Sequence, residues 1–256
     1  MLEVTDLTKS FGGVHAMRHV SLSFPKGSLT AIIGPNGAGK TTFFNLVSGH
    51  IRPDAGRVVF DGTDIAGHAS SEIARMGLCR AFQVASLFQG LTVAEALAAA
   101  VASARGATWS LFGRFPPQDA RVRADEIMAL TGLSDRADDL SRNLPHGEQK
   151  LLDIALALAL EPKVLLLDEP TAGMGAEERW QMIDKVKALW EATGLTVVFI
   201  EHDMDIVFSI AQEIHVLKYG QVLASGTADA IRNNPEVIDA YLGTDHFLPE
   251  TEQMDA

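Results

Sequence analysis

A single cysteine, Cys79, stands in the 256 residues, so an intrachain disulfide framework and a cysteine-based zinc cluster are excluded. A reducing compartment is the expected setting. Basic residues are also short: 21 Lys and Arg face 33 Asp and Glu, a formal net charge of −12, with no local basic patch to offset it. That balance repels phosphate backbones, and no nucleic-acid partner is expected. Long apolar runs are missing as well. The most apolar segments, Ala94 to Ala104 and Leu151 to Leu160, fall short of the roughly 18 residues a membrane span requires, and both contain acids. Any membrane role is therefore expected to run through a partner. The amino terminus, MLEVTDLTKS, lacks the basic stretch and apolar core of a signal peptide, and a cytoplasmic location is expected. What is present is ordinary for a globular chain: 47% hydrophobic and 21% charged residues, enough to bury a sizeable core.

Short β-branched runs fill the first third. Leu2 to Leu7, Val20 to Phe24, Leu29 to Ile33 and Arg57 to Phe60 read as strands, with turns at Lys26-Gly27 and Asp61-Gly62. Lys40 to Ser48 reads as a helix among them. From Thr92 to about Leu160 the chain is rich in Ala, Leu, Glu and Arg and reads as mostly helical. Thr92-Val93-Ala94-Glu95 is a capping box at its start, Gln118 to Leu130 a further helix, and Trp109 to Pro117 a loop. In the last third, Val164 to Leu167 and Thr196 to Ile200 are continuous apolar runs, as in strands buried on both faces of a parallel sheet. Helices over Glu177 to Glu191 and Met204 to Ile210 separate the strands, and Ile214 to Leu217 and Val222 to Ala224 flank a Tyr219-Gly220 turn. This alternation predicts an α/β fold, followed by a polar, frayed tail at 244–256.

The strongest chemical signal is Gly34-Pro35-Asn36-Gly37-Ala38-Gly39-Lys40-Thr41, with Thr42 next, placed after an apolar strand and before a helix. Glycines let the backbone wrap a phosphate with its N–H groups inward, and the helix amino terminus adds partial positive charge. Lys40 can reach the β and γ phosphates, and Thr41 can hold Mg²⁺. Val164 to Glu169 (VLLLDE) supplies the second half: an apolar strand carries Asp168 to the sheet edge as a Mg²⁺ ligand candidate, and Glu169 follows as the candidate general base for an attacking water. A third element, Leu144-Pro145-His146-Gly147-Glu148-Gln149, opens the amphipathic run Lys150 to Leu160 with a helix start that could face a phosphate.

In this order, the P-loop, Arg80-Ala81-Phe82-Gln83, the LPHGEQ hexapeptide, LLLDEP and Glu201-His202-Asp203 resemble the ABC ATPases over nearly the whole chain. The resemblance implies a P-loop ABC ATPase core with a mixed sheet, antiparallel β elements and a helical subdomain. The core would comprise 1–82 and 161–243 of a single domain spanning 1–243, and the subdomain about 83–160. It implies ATP and Mg²⁺ as ligands, and a dimer in which Leu144 to Gln149, the family's signature motif, completes the ATP site of the facing subunit. By the same resemblance Phe11 matches the aromatic that stacks on adenine. Gln83 matches the loop glutamine that contacts Mg²⁺ or water and senses the membrane partner, and His202 matches the γ-phosphate switch histidine.

Phe11-Gly12-Gly13, the RAFQ form around Gln83, the Gly-Glu-Gln ending of the hexapeptide and Pro235 to Gly243 are similar to the ATPase subunits of branched-chain amino acid importers. The expected function is thus the ATP-hydrolysing motor of such an importer, peripheral on the inner face of the membrane. Its expected partners are a second ATPase subunit, identical or distinct, transmembrane permease subunits, and indirectly a solute-binding protein. An exporter ATPase or a soluble ABC ATPase is the alternative. Two positions depart from the family pattern. Pro145 replaces the usual Ser and removes a hydroxyl and an N–H, with His146 as a substitute donor, and Gly175 stands where Asp or Asn is common. Both lie where the chain would face its partner's nucleotide, and two readings stand: harmless subfamily variation, or pairing with a different ATPase that leaves one weakened site.

Overall fold

A computed structural model describes residues 1–81, 88–106 and 116–241. Strands β1 (Leu2–Phe11) and β2 (Val14–Phe24) open the chain as a long antiparallel hairpin. They run further than their alternation indicates because Gly12 and Gly13 take φ of 51 and 87, closing a two-residue turn that extends the pairing to Phe11 and Val14. β4 (Ala55–Phe60) and β5 (Thr63–Asp64) complete a sheet ordered β2-β1-β4-β5. The expected turn between β4 and β5 forms, with Asp61 and Gly62 at φ 51 and 85.

The second sheet holds the remaining strands: β3 (Leu29–Ile33), β6 (Leu78–Ala81), β7 (Val164–Asp168), β8 (Thr196–Ile200), β9 (Glu213–Lys218) and β10 (Gln221–Gly226). Its order is β10-β9-β3-β8-β7-β6, parallel except for the β9–β10 hairpin at the edge. Continuous apolar runs are required here because both faces of this sheet are covered. Leu29, Ala31, Ile33, Leu165, Leu167, Val197 and Phe199 pack into one core. Ile32, Leu166, Val198 and Ile200, pointing the other way, join β1, β2 and helix α1 (Lys40–Val47) in a second.

The first core takes in α3 (Val93–Ala104), α4 (Gln118–Thr131), α5 (His146–Leu158) and α6 (Ala176–Thr193). The α3 capping box is made as expected: Glu95 N donates to Thr92 Oγ1 at 3.2 Å and Thr92 N to Glu95 Oε2 at 3.0 Å. Short helices α7 (Met204–Ile210), α8 (Ala228–Arg232) and α9 (Pro235–Tyr241) cover the remaining edge. Five elements escape the pattern reading, α2 (Ser70–Met76), β5, β6, α8 and α9, because stretches of two to seven residues are too short to display a period. Trp109 to Phe115 of the expected loop, Gln83 and the tail 244–256 lie outside the described residues.

Candidate functional site

Ligands of open parallel sheets bind beyond the carboxyl ends of the strands. Here β3, β8 and β7 lie side by side, and each delivers sequence-predicted residues to that edge. β3 leads into the Gly34 to Gly39 loop and α1, β7 ends at Asp168 and Glu169, and β8 runs into Glu201 and His202.

The loop can close only without side chains at two points. A Cβ on Gly34 (φ 153) would sit 2.2 Å from the Leu217 carbonyl oxygen, and one on Gly39 (φ 104) 2.3 Å from Met17 Cε and 2.7 Å from the Ala16 oxygen. Gly39 also leaves the α1 amino terminus without a side-chain cap, so its first N–H groups stay free for an anion. Lys40 is buried and donates from Nζ to the Gly34 carbonyl at 2.6 Å and to Pro35 O at 3.2 Å. Burial pushes its amine below the usual range, while the charges of Glu169 and Asp168 pull the other way. Thr41 is exposed beside it and Thr42 half-buried.

Asp168 pairs with Arg80 of β6, whose guanidinium also donates from Nη1 to Asn45 Oδ1 of α1 at 2.7 Å and lies over the Phe44 ring. That arginine ties P-loop helix to carboxylate. Sequence reading gave it no role, although the RAFQ context marked it. Glu169, at φ 48, places Oε1 2.8 Å from His202 Nε2. Behind them the buried Glu201 carboxylate accepts from Thr171 N at 2.9 Å, Thr171 Oγ1 at 2.7 Å and His202 N at 3.2 Å. Burial raises the Glu201 carboxyl above its ordinary range, and those hydrogen bonds oppose the rise. Glu201 thereby fixes both the loop after Glu169 and the backbone of His202. Asp203 caps α7 through Asp205 N and Ile206 N and accepts from Arg179 Nη1 at 2.8 Å.

The hexapeptide forms the start of α5. Leu144 is buried, Pro145 is the N-cap residue and makes no side-chain cap, and Gly147 is buried in the first turn. His146, expected as a substitute donor, has Nε2 3.2 Å from the Ala172 carbonyl of its own chain. Glu148 accepts from Arg136 Nε at 3.2 Å, and Gln149 Nε2 donates to Leu144 O at 2.8 Å. A cavity of about 830 Å³ separates this helix from the sheet edge, with Thr41, Asp168 and Glu169 on one side and His146, Gln149 and Lys150 on the other. Phe11 closes the far end of β1, half-exposed, with Lys9 Nζ 5.5 Å from its ring centre.

This arrangement offers a cradle of backbone N–H groups and an amine for phosphates, an oxygen pair at Thr41 and Asp168 for a cation, and a carboxylate–imidazole pair for water activation. Residues 17–172 match the family described as ABC transporter, and residues 221–246 the one described as branched-chain amino acid ATP-binding cassette transporter. The chain is similar to the high-affinity branched-chain amino acid transport ATP-binding protein LivG of Salmonella typhimurium, 38% identical over 251 residues, 95% of this chain and 98% of that one. It is equally similar to BraF of Pseudomonas aeruginosa, 38% identical over 250 residues with the same coverage. Among solved structures, the ADP conformation of the cassette MJ1267 superposes with a TM-score of 0.84 at 31% identity, covering 95% of this chain and 98% of that one. The dimeric cassette MJ0796 gives 0.74 at 26%, covering 89% and 99%.

Proposed function

The chain belongs to the ABC transporter family as one of its ATP-binding cassettes, and from that premise we propose that it is the ATP-hydrolysing motor subunit of an importer for branched-chain amino acids or related polar solutes. The observation that carries the reading is the convergence of the P-loop, Asp168, Glu169 and His202 on one edge of the sheet, facing the α5 amino terminus across the cavity. The importer class rests on the relatives and on the carboxyl-terminal match at 221–246.

In this reading Phe11 stacks on adenine, and Gly34, Pro35, Asn36, Gly37, Ala38, Gly39, Lys40, Thr41 and Thr42 cradle the phosphates. Glu169 takes a proton from the attacking water, and His202 orients that carboxylate and the γ-phosphate. Gln83 would contact Mg²⁺ or water and sense the membrane partner. Thr41 and Asp168 suit Mg²⁺, a hard cation that draws its other ligands from water and phosphate oxygens. When bound, the cation neutralises charge developing on the phosphates. Leu144, Pro145, His146, Gly147, Glu148 and Gln149 face the nucleotide of a second ATPase subunit. The core at 1–82 and 161–243 grips the nucleotide, while the helical subdomain at about 83–160 carries the motion outward.

No described helix is long and apolar enough to cross a membrane. The likeness to transport ATP-binding proteins supports a subunit that works through transmembrane permease partners, peripheral on the inner face, with a solute-binding protein delivering cargo on the other side. The test is a mild-detergent pull-down from native membranes with ATPase activity recorded. Polytopic membrane proteins and a second ATPase are the expected companions, and a solute-binding protein nearby marks import. Recovery of soluble partners or ribosomes alone overturns the transport reading.

A further inference from the structure

Glu169 stands in a backbone conformation that a residue with a side chain adopts only when its surroundings impose it (φ 48). Two backbone bonds help: Glu169 N donates to Ile200 O at 3.0 Å, and Ala172 N to Glu169 O at 3.1 Å. The third restraint is a side chain from another element. Lys150, in the second turn of α5, donates from Nζ to the Glu169 carbonyl oxygen at 2.6 Å.

We propose that Lys150 is a positioning residue for Glu169, through which the helix bearing the hexapeptide holds the hydrolytic carboxylate of its own chain in place. The proposal rests on the reading of Glu169 as the general base. Lys150 lines the cavity that contains Thr41, Asp168 and Glu169, yet its ammonium is committed to a carbonyl of its own chain. Glu201, Glu169, Asp153 and Asp168 surround it and favour its charged form against the effect of burial, which suits a charge-assisted hydrogen bond. His146 makes a second link of the same kind, its Nε2 3.2 Å from Ala172 O. The amino end of α5 and the loop from Glu169 to Ala172 are thus joined at two points. A nucleotide pressed against α5 in the facing site bears on Glu169 in this chain's own site, and Lys150 is the link between them.

The test uses the assembled transporter with Lys150→Met, Lys150→Arg and Glu169→Gln. Kinetics, affinity for a fluorescent ATP analogue and the thermal midpoint are measured on each. Losing one charge-assisted hydrogen bond predicts a kcat about 10- to 100-fold lower for Lys150→Met. KM, nucleotide affinity and thermal midpoint stay unchanged, and Lys150→Arg recovers most of the rate. Unchanged kcat in Lys150→Met overturns the proposal. So does a fall in nucleotide affinity or midpoint that accompanies the lost rate, or an Arg variant as impaired as the Met variant. Full turnover in Glu169→Gln overturns the base reading itself, whereas an inactive Glu169→Gln beside an unimpaired Lys150→Met overturns the Lys150 proposal alone.

Discussion

Glu169 Oε1 and His202 Nε2 stand 2.8 Å apart, each just beyond the carboxyl end of one of two adjacent parallel strands, β7 and β8. The pair depends on the sheet register, because Asp168 lies opposite Ile200 and each functional residue follows one or two positions later. Glu169→Gln preserves the shape of the side chain and removes the proton acceptor. Turnover is expected to fall about 10²- to 10⁴-fold while ATP is retained, so that a closed dimer accumulates. An ATPase assay and size-exclusion chromatography with ATP check both halves. His202→Ala is expected to lower turnover too, and the double variant to fall no further than the worse single one, since the two side chains act as a unit.

Gly175 is the N-cap residue of α6, in the extended conformation that N-caps adopt (φ −67, ψ 164), and it supplies no side-chain cap. A Cβ there meets nothing within 4 Å. Gly175→Asn therefore adds a cap and stiffens the unfolded chain, for an expected gain of about 0.5–1 kcal/mol. In a protein of this size that raises the thermal midpoint by about 1–4 °C. A midpoint at or below that of the native chain contradicts the capping argument.

The residues that proved legible in the sequence share a physical reason. β3, β7 and β8 are buried on both faces, so Val164 to Leu167 and Val197 to Ile200 had to be apolar throughout, and Leu29 to Ile33 apolar but for the buried Thr30. The P-loop could be read because Gly34 and Gly39 have no room for a Cβ, a constraint that leaves a fixed spacing in the chain. Arg80 and Lys150 were not legible. Arg80 meets Asp168 across 88 positions and Lys150 meets Glu169 across 19, contacts that depend on strand pairing and helix placement and leave no local pattern. Glu201 was visible beside His202, but its role depends on burial, and nothing in a run of polar residues announces that one of them is inside. β6 stayed hidden for want of length, and with it the strand that carries Arg80.

His215 is buried between the sheets, with Nδ1 2.8 Å from Ser225 Oγ and the Phe24 ring edge-on at 5.3 Å. Burial lowers its pKa from the usual 6.5, against the charge of Glu213 and a bond involving the Ser23 backbone. Below pH 6.5 the unfolded chain then binds more protons than the folded one, so stability is full above that pH and is lost as the pH falls through the folded value. His50, also lowered by burial, acts in the same direction. Glu201, raised above 4.5, acts with the opposite sign, since its folded form holds the proton more firmly. His215→Gln removes one titrating group and can keep the bond to Ser225. Its urea midpoint is expected to decline less between pH 6.5 and 5 than that of the native chain, and parallel declines would contradict the assignment.

In the dimer proposed for this chain, Pro145 bears on whether the two ATP sites are equivalent. It contributes neither hydroxyl nor N–H to the start of α5, and the nearest substitute, His146 Nε2, faces the Ala172 carbonyl. The site this chain builds on its own P-loop has Lys40, Thr41, Asp168, Glu169 and His202 in place, whereas the donors it offers to a facing nucleotide are reduced. In a dimer with a distinct second ATPase, Lys40→Ala is expected to remove most of the turnover and the same change in the other P-loop to remove little. Pro145→Ser should raise hydrolysis at the facing site. Its effect on stability stays under about 1 kcal/mol, because the new N-cap bond is offset by the lost rigidity of proline in the unfolded chain. Single-site ATPase measurements on the native complex decide the matter, and equal losses from the two P-loop substitutions would make the sites equivalent and leave Pro145 without catalytic consequence.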